Sequence, residues 1–292
     1  MPRAAPADLL ELAKPRIVML VLVTMAAGYA MAPVLGVTSP AVWVLGLFHA
    51  LVGTALVAGG TNALNQVFER DVDALMARTA RRPLPSARLE VREATVFAWL
   101  IGASGVAYLA LLVNAVTAIL AALTLASYVF VYTPLKRRTP LSTLIGAVPG
   151  ALPIVGGWTA AGGTLETRAF ILFALLFLWQ LPHFLALSWI YRDDYARAGL
   201  QMLSVGDADG RMTFRQAAVH AAALIPISLA PAVVGMGGPV YFLGAALLSG
   251  GYFWASVAAA RCPSRDGARR LFSASLIYLP GILALMILDR IA

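Results

Sequence analysis

Nine apolar runs, each close to twenty residues long, leave this chain few ways to fold: about 16–35, 42–64, 92–113, 115–133, 141–161, 168–190, 216–236, 239–260 and 270–290. The hydrocarbon core of a bilayer is about 30 Å thick, and roughly 20 apolar residues of helix cross it. Inside lipid every backbone N–H and C=O must find a partner within the protein, which leaves helices or closed barrels as the spanning structures. Runs of this length fit the helix. The expectation is an all-α, polytopic membrane protein of nine transmembrane helices around a central cavity open to the cytoplasmic side, with residues 1–292 as one membrane domain. Only 12% of the residues are charged, about half the share of a soluble domain, so no soluble domain is expected beside it.

The positions of the charges set the topology. All of the 22 lysines and arginines except Arg168 and Arg290 fall in the N-terminus or in the loops after runs 2, 4, 6 and 8. Basic loops stay on the cytoplasmic side, so a cytoplasmic N-terminus and an outside C-terminus follow; the membrane expected, as a separate reading, is a bacterial cytoplasmic (inner) one. The segment MPRAAPADLLELAKPR has neither the order of a cleavable signal nor the composition of a transit peptide, and the first span is expected to serve as the insertion signal. The net charge of +8 is absorbed by this asymmetry. No basic patch interleaved with aromatics is present to suggest nucleic acid. The single Cys262 excludes an internal disulfide framework.

Apolar spans have no need of the segment Asn65–Leu84, NQVFERDVDALMARTARRPL. Asn65, Glu69 and Asp73 recur at steps of four. If span 2 continues as a helix, they share one face. Three oxygen donors on one face suit Mg²⁺, a hard cation that keeps several waters and bridges to phosphate oxygens. Asp71 points elsewhere and is expected to pair with a neighbouring arginine. The alternative is a solvated, salt-bridged helix end. Arg78 and Arg82, with Lys136 of VYTPLKRRTP, are the cations best placed for a diphosphate, arginine as a planar fork and lysine as a point charge. The other basic residues are read as topology signals.

A second polar loop follows run 6. Asp193 and Asp194 begin it, and Asp194 is a candidate to complete the metal site from the other half. About three turns earlier stands His183, inside the apolar run and next to Pro182. An intramembrane histidine is a functional candidate; its neutral imidazole can ligate iron or orient a substrate, or simply bond a neighbouring helix. His49 and His220 have no polar company and are read as structural. The segment Ile145–Trp158 crowds glycine and proline into run 5. That composition serves close helix packing or a kinked wall beside a bulky flat substrate.

These motifs resemble the UbiA superfamily of intramembrane prenyltransferases, whose first motif is an Asn followed at four-residue steps by two acids. Within it they resemble the protoheme IX farnesyltransferase branch. The resemblance is carried by LAKPRIVMLVLVT, ERDVDALMARTARRPLP, YTPLKRRTP, GAVPGALPIVGGW and LWQLPHFLALSWIYRDDYARAG, from about residue 12 to 203. The first acidic motif belongs to the superfamily, and its combination with WQLPHF and RDDY to the branch. Two departures stand out. The second acidic motif is reduced to Asp193 and Asp194, and Leu181 stands where the branch usually has proline.

The resemblance implies conversion of heme B and farnesyl diphosphate, with water, to heme O and diphosphate, with Mg²⁺ as cofactor. It implies Asn65, Glu69, Asp73 and Asp194 as catalytic metal ligands, Arg78, Arg82 and Lys136 for diphosphate, and His183, Trp179, Gln180 and Tyr132 for the heme. Heme B and farnesyl diphosphate are then the substrates, the lipid bilayer is the setting, and a heme A synthase or terminal oxidase is the expected recipient of heme O. Two rivals remain at this point: an aromatic prenyltransferase of the same fold acting on a quinone precursor, and a secondary transporter. Transporters place ionisable groups at mid-membrane, whereas here the acids gather at span ends.

Overall fold

A computed structural model describes residues 5–33 and 39–290. The described residues are helical with short connections. Arg3 and the last two positions of the first expected span fall outside them.

The chain opens with a short helix, α1 (Pro6–Ala13), and an apolar helix, α2 (Pro15–Met31). Between them Lys14 sits in the left-handed region, with φ 54°, and Pro15 starts the next helix where its missing N–H costs nothing. Then come α3 (Pro40–Asp73), α4 (Val91–Leu112) and α5 (Ala115–Ala126). The last of these runs through a π-helical stretch, Ser127–Tyr132, into the single turn α6 (Thr133–Leu135). The second half comprises α7 (Ser142–Ala160), α8 (Thr167–Ile190), the short α9 (Arg192–Arg197) and α10 (Leu203–Gly206), and then α11 (Arg211–Val233), α12 (Pro239–Arg261) and α13 (Arg265–Leu288).

Eight helical segments are long and apolar enough to cross a bilayer. The ninth expected span is α2, which is apolar but has only 17 residues, about 25 Å at ~1.5 Å per residue. Long apolar side chains such as Leu100, Leu111, Leu247, Trp254 and Leu288 point outward, as lipid-facing positions require.

Two separate cores hold the bundle. The first joins α1, α3, α4 and α5 around Leu12, Leu64, Ala98, Leu109 and Leu125. The second joins α2, α7, α8, α11, α12 and α13 around Ile154, Trp158, Leu172, Phe214, Tyr252 and Ile282. Within the second core α2 crosses α7, and this crossing is tight. A Cβ on Gly28 would lie 1.9 Å from the Ile154 carbonyl oxygen, and one on Gly157 would lie 1.9 Å from that of Met25. Small residues thus let these two backbones touch. A third, small apolar cluster binds the two polar loops to each other through Val72, Met76, Tyr195, Leu200 and Met202.

Candidate active site

Helix α3 is 34 residues long and does not stop at the end of its apolar run. It continues through Asp73, so Asn65, Glu69 and Asp73 stand on one face of one helix. The polar residues of this extension also anchor the N-terminal segment. Asn62 Nδ2 donates to the Ala13 carbonyl at 3.3 Å and Gln66 Nε2 to that of Leu12 at 2.7 Å. These bonds draw the α1–α2 junction, and Lys14 with it, onto α3.

Each of the three oxygen-bearing residues meets a different cation. Lys14 Nζ donates to Asn65 Oδ1 at 3.1 Å. Lys136 Nζ lies 2.8 Å from Glu69 Oε1, and Arg82 Nη1 lies 2.6 Å from Asp73 Oδ2. The carboxylates are withdrawn from solvent, with side-chain exposures of 13% for Glu69 and 2% for Asp73. Asp71, by contrast, is exposed and pairs with Arg70 at 3.5 Å, as expected for the opposite face.

The three cations come from three elements. Lys14 comes from the α1–α2 junction and Arg82 from the loop after α3, where Thr79 Oγ1 also ties back to the Asp73 carbonyl at 2.7 Å. Lys136 comes from the turn beyond the π-helical stretch. That stretch matters locally, because widening the helix leaves room for a side chain to bond backward. Thr133 Oγ1 donates to the Tyr128 carbonyl at 2.9 Å and accepts from Asn65 Nδ2 at 3.2 Å. Lys136 then passes over the Tyr132 ring, 4.5 Å from its centre, and its carbonyl accepts from the Gln201 backbone N–H at 2.7 Å. The second polar loop thereby fixes the cation that serves the first.

Burial pushes the Lys14 ammonium down to about 7, and Arg82 and Lys136 push the same way against the weaker pull of Glu69 and Asp73. Burial acts on Lys136 too, but Glu69 together with Tyr132 and Tyr128 outweighs it and holds that ammonium above the usual lysine range.

The remaining residues singled out from the sequence are placed differently. Arg78 faces away from the acids. Its guanidinium lies 5.1 Å from the Tyr191 ring centre and 5.2 Å from that of Tyr195, and it donates to the Tyr195 hydroxyl at 3.3 Å. It bridges the two polar loops through cation–π contact. Asp194 pairs with Arg197 of its own helix, while Asp193 is exposed. No three His, Cys, Asp or Glu side chains converge on one point among the described residues.

Gln180 donates from Nε2 to the Ala147 carbonyl at 2.8 Å. Its Oε1 lies where a Cβ on Gly150 would be, 2.2 Å away, and the Tyr132 ring fills the space beside Gly146 at 2.5 Å. The space beside Gly146 and Gly150 of α7 is therefore taken by side chains of facing elements, as in close packing. His183 and Trp179 face α13 instead. His183 Nδ1 is 2.7 Å from Ser275 Oγ, and Trp179 Nε1 donates to the Ser275 carbonyl at 2.9 Å. His49 bonds the Tyr108 hydroxyl at 2.8 Å, and the exposed His220 bonds the Gln216 carbonyl at 2.7 Å.

Sequence reasoning missed Lys14, Thr133 and Ser275. Lys14 sat beside a proline in plain view, but it read as a topology charge. Only the fold of α1 against α3 brings it to Asn65.

Membrane-spanning helices and a buried acid–cation cluster at the end of one of them define a polytopic membrane protein with one strongly polar mouth. The chain belongs to the UbiA prenyltransferase family, whose model matches residues 20–279. It is 46% identical to the protoheme IX farnesyltransferase of Solibacter usitatus, over 97% of this chain and 98% of that one. Among solved structures it is similar to a digeranylgeranylglyceryl phosphate synthase at 17% identity and TM-score 0.80, covering 97% of each chain. It is also similar to a UbiA homolog from Archaeoglobus fulgidus bound to GPP and Mg²⁺, at 14% identity and TM-score 0.66, over 96% of this chain and 99% of that one.

Proposed function

We propose that this chain transfers the farnesyl group of farnesyl diphosphate to a vinyl group of heme B (protoheme IX), with addition of water, giving heme O and diphosphate. The observation that carries the reading is the meeting of Asn65, Glu69 and Asp73 with Lys14, Arg82 and Lys136 at one helix end. It supports the reaction because the chain matches protoheme IX farnesyltransferases along nearly its whole length. The whole chain, residues 1–292, acts as one membrane domain.

The oxygen donors fit Mg²⁺: one amide and two carboxylates at four-residue spacing, with room in the coordination sphere for water and phosphate. Asn65, Glu69 and Asp73 would hold it, with Asp194 joining from the second loop. Bound there, the ion would supply charge stabilisation for the departing diphosphate.

The chain's own residues do the rest. Arg82, Lys136 and Lys14 neutralise the charge that grows on the leaving oxygen. Arg78 holds the two polar loops together above the diphosphate. As the C–O bond breaks, the farnesyl group takes on allylic cation character, and the electron-rich vinyl group of heme B attacks it. Water then adds at the carbon beside the porphyrin ring and loses a proton. Apolar walls keep water from the allylic centre until the new C–C bond has formed. His183, with Trp179, Gln180 and Tyr132, contacts the heme.

The N-terminus and the basic loops lie in the cytoplasm of a bacterial cell, the protein sits in the inner membrane, and heme O passes on to a heme A synthase or terminal oxidase. The deciding experiment incubates membranes containing this protein with labelled farnesyl diphosphate and either heme B or 4-hydroxybenzoate. Mass spectrometry of the extracted haem should show the hydroxyethylfarnesyl product. Label on the aromatic acid and none on haem would replace this reading with quinone-precursor prenylation. Substrate movement across vesicles without any new covalent product would replace it with transport.

A further inference from the structure

Ser275 of α13 is fully buried and makes two short polar contacts. Its Oγ donates to the Phe272 carbonyl at 2.5 Å and lies 2.7 Å from His183 Nδ1. A hydroxyl has one hydrogen, and a carbonyl can only accept. With that hydrogen given to Phe272, the serine oxygen is free only to accept, so the proton between the two side chains belongs to His183 Nδ1. The lone pair of the imidazole is then left on Nε2.

The surroundings hold this arrangement in place. The His183 ring lies between Trp179 and Phe272, with ring centres 5.1 and 4.8 Å away. Trp179 Nε1 donates to the Ser275 carbonyl, and the Tyr252 hydroxyl donates to the Trp179 carbonyl at 3.1 Å. Serine, histidine and tryptophan are thus linked across α8, α12 and α13 by neutral hydrogen bonds. The opposite tautomer would carry the proton on Nε2 and could only donate to a substrate.

We propose that Ser275 is a positioning residue that fixes His183 as its Nδ1–H tautomer, so that Nε2 is presented as a lone-pair donor to the iron of a flat metalloporphyrin. The inference rests on the reading that His183 contacts the heme. It assigns Ser275 the part that a second hydrogen bond plays for metal-bound histidines generally, setting which nitrogen binds and how the ring is turned.

The test uses the full chain, purified in detergent and titrated with ferric heme B, with the Soret band and the electron paramagnetic resonance spectrum as readouts. The parent protein should give a histidine-ligated spectrum, and His183→Ala should lose it. Ser275→Ala should weaken heme affinity about tenfold or more and give a mixed spectrum, while the KM for farnesyl diphosphate stays unchanged. Ser275→Thr, which keeps the hydroxyl, should restore both the affinity and the spectrum. Ser275→Cys, nearly isosteric but a weak hydrogen-bond partner, should behave like the alanine variant and covers the case in which the alanine variant fails to fold. A Ser275→Ala or Ser275→Cys protein with parental affinity and spectrum, beside a His183→Ala protein that has lost them, overturns the role of Ser275 alone. A His183→Ala protein with the parental spectrum overturns the heme-contact reading itself.

Discussion

The two polar segments occupy corresponding places in the two halves, at the end of α3 and after α8, and each combines acids with arginines. Their chemistry differs. At the first, Glu69 and Asp73 are withdrawn from solvent, Glu69 matched by Lys136 from a distant part of the chain and Asp73 by Arg82 nine residues on. At the second, Asp194 is matched by Arg197 three residues away, whose side chain is 56% exposed. Long-range pairing of buried charges requires the fold to be in place first, and it leaves a severe penalty if one partner is removed. A local pair at the surface is worth little. The charge cluster is therefore built at the end of α3, and the second loop contributes by closing over it through Arg78, Tyr191, Tyr195 and the bond from Gln201 to Lys136.

The comparison can be broken most sharply by activity. Asp73→Asn and Glu69→Gln should each lower heme O formation by about 10²–10³-fold, and Asp194→Asn by no more than about tenfold, measured as product haem from matched membranes. Equal losses at all three positions would make the two loops equivalent partners and remove the asymmetry.

Stability gives the next test. Lys136→Met strands Glu69 in a buried position and should cost about 3 kcal/mol, read as a lower midpoint of thermal unfolding in detergent. Arg197→Ala should cost under about 1 kcal/mol. Gly157→Ala tests the close contact of α2 with α7. The added methyl meets the Met25 carbonyl oxygen, so α2 and α7 must part, and about 1–3 kcal/mol should be lost.

The smallest effect concerns the far end of the second loop. Asp207 accepts from the Thr213 backbone N–H at 2.7 Å at the start of α11. Burial acts to raise its carboxyl, but the hydrogen bonds from Thr213, with those of Met212 and Asp209, together outweigh burial and hold it below its ordinary value. Its contribution is complete above the ordinary aspartate range and disappears as pH falls through the depressed folded-state value. Asp207→Ala should cost about 0.5–1 kcal/mol at neutral pH and nothing in strong acid, measured by unfolding at a series of pH values.

Much of this was legible in the residues alone. Apart from α3, which runs nine residues past its expected end, the span limits match the helices to within about five residues, because lipid demands length and apolarity and the sequence records both. The four-residue spacing of Asn65, Glu69 and Asp73 put them on one face as soon as the helix was granted. What the spacing could not carry was the identity of their partners. Arg82 and Lys136 were placed among the diphosphate cations for their nearness to an acid or to a span end, and both stand beside the acids. Arg78 was chosen on the same grounds and points to the tyrosines of the other loop instead. Lys14 and Ser275 are invisible to any local pattern, since each acts on a residue brought near only by helix packing. The glycines of α7 were ambiguous for a related reason: a missing side chain does not say what fills the space, and here Tyr132 fills it at Gly146, Gln180 at Gly150 and the α2 backbone at Gly157.

The face carrying Asn65, Glu69 and Asp73 and the apolar stretch that crosses the membrane belong to one uninterrupted rod. At ~1.5 Å per residue the 34 residues of α3 extend about 51 Å, well beyond the ~30 Å of hydrocarbon. Height above the lipid and compass bearing are consequently geared together. Inserting a single alanine between Gly60 and Asn65 would lift the acids by only ~1.5 Å but swing them by about 100°, away from Lys14, Lys136 and Arg82 at once. A site hung on a loop would absorb such an insertion; a site mounted on a shaft is thrown out of gear by it.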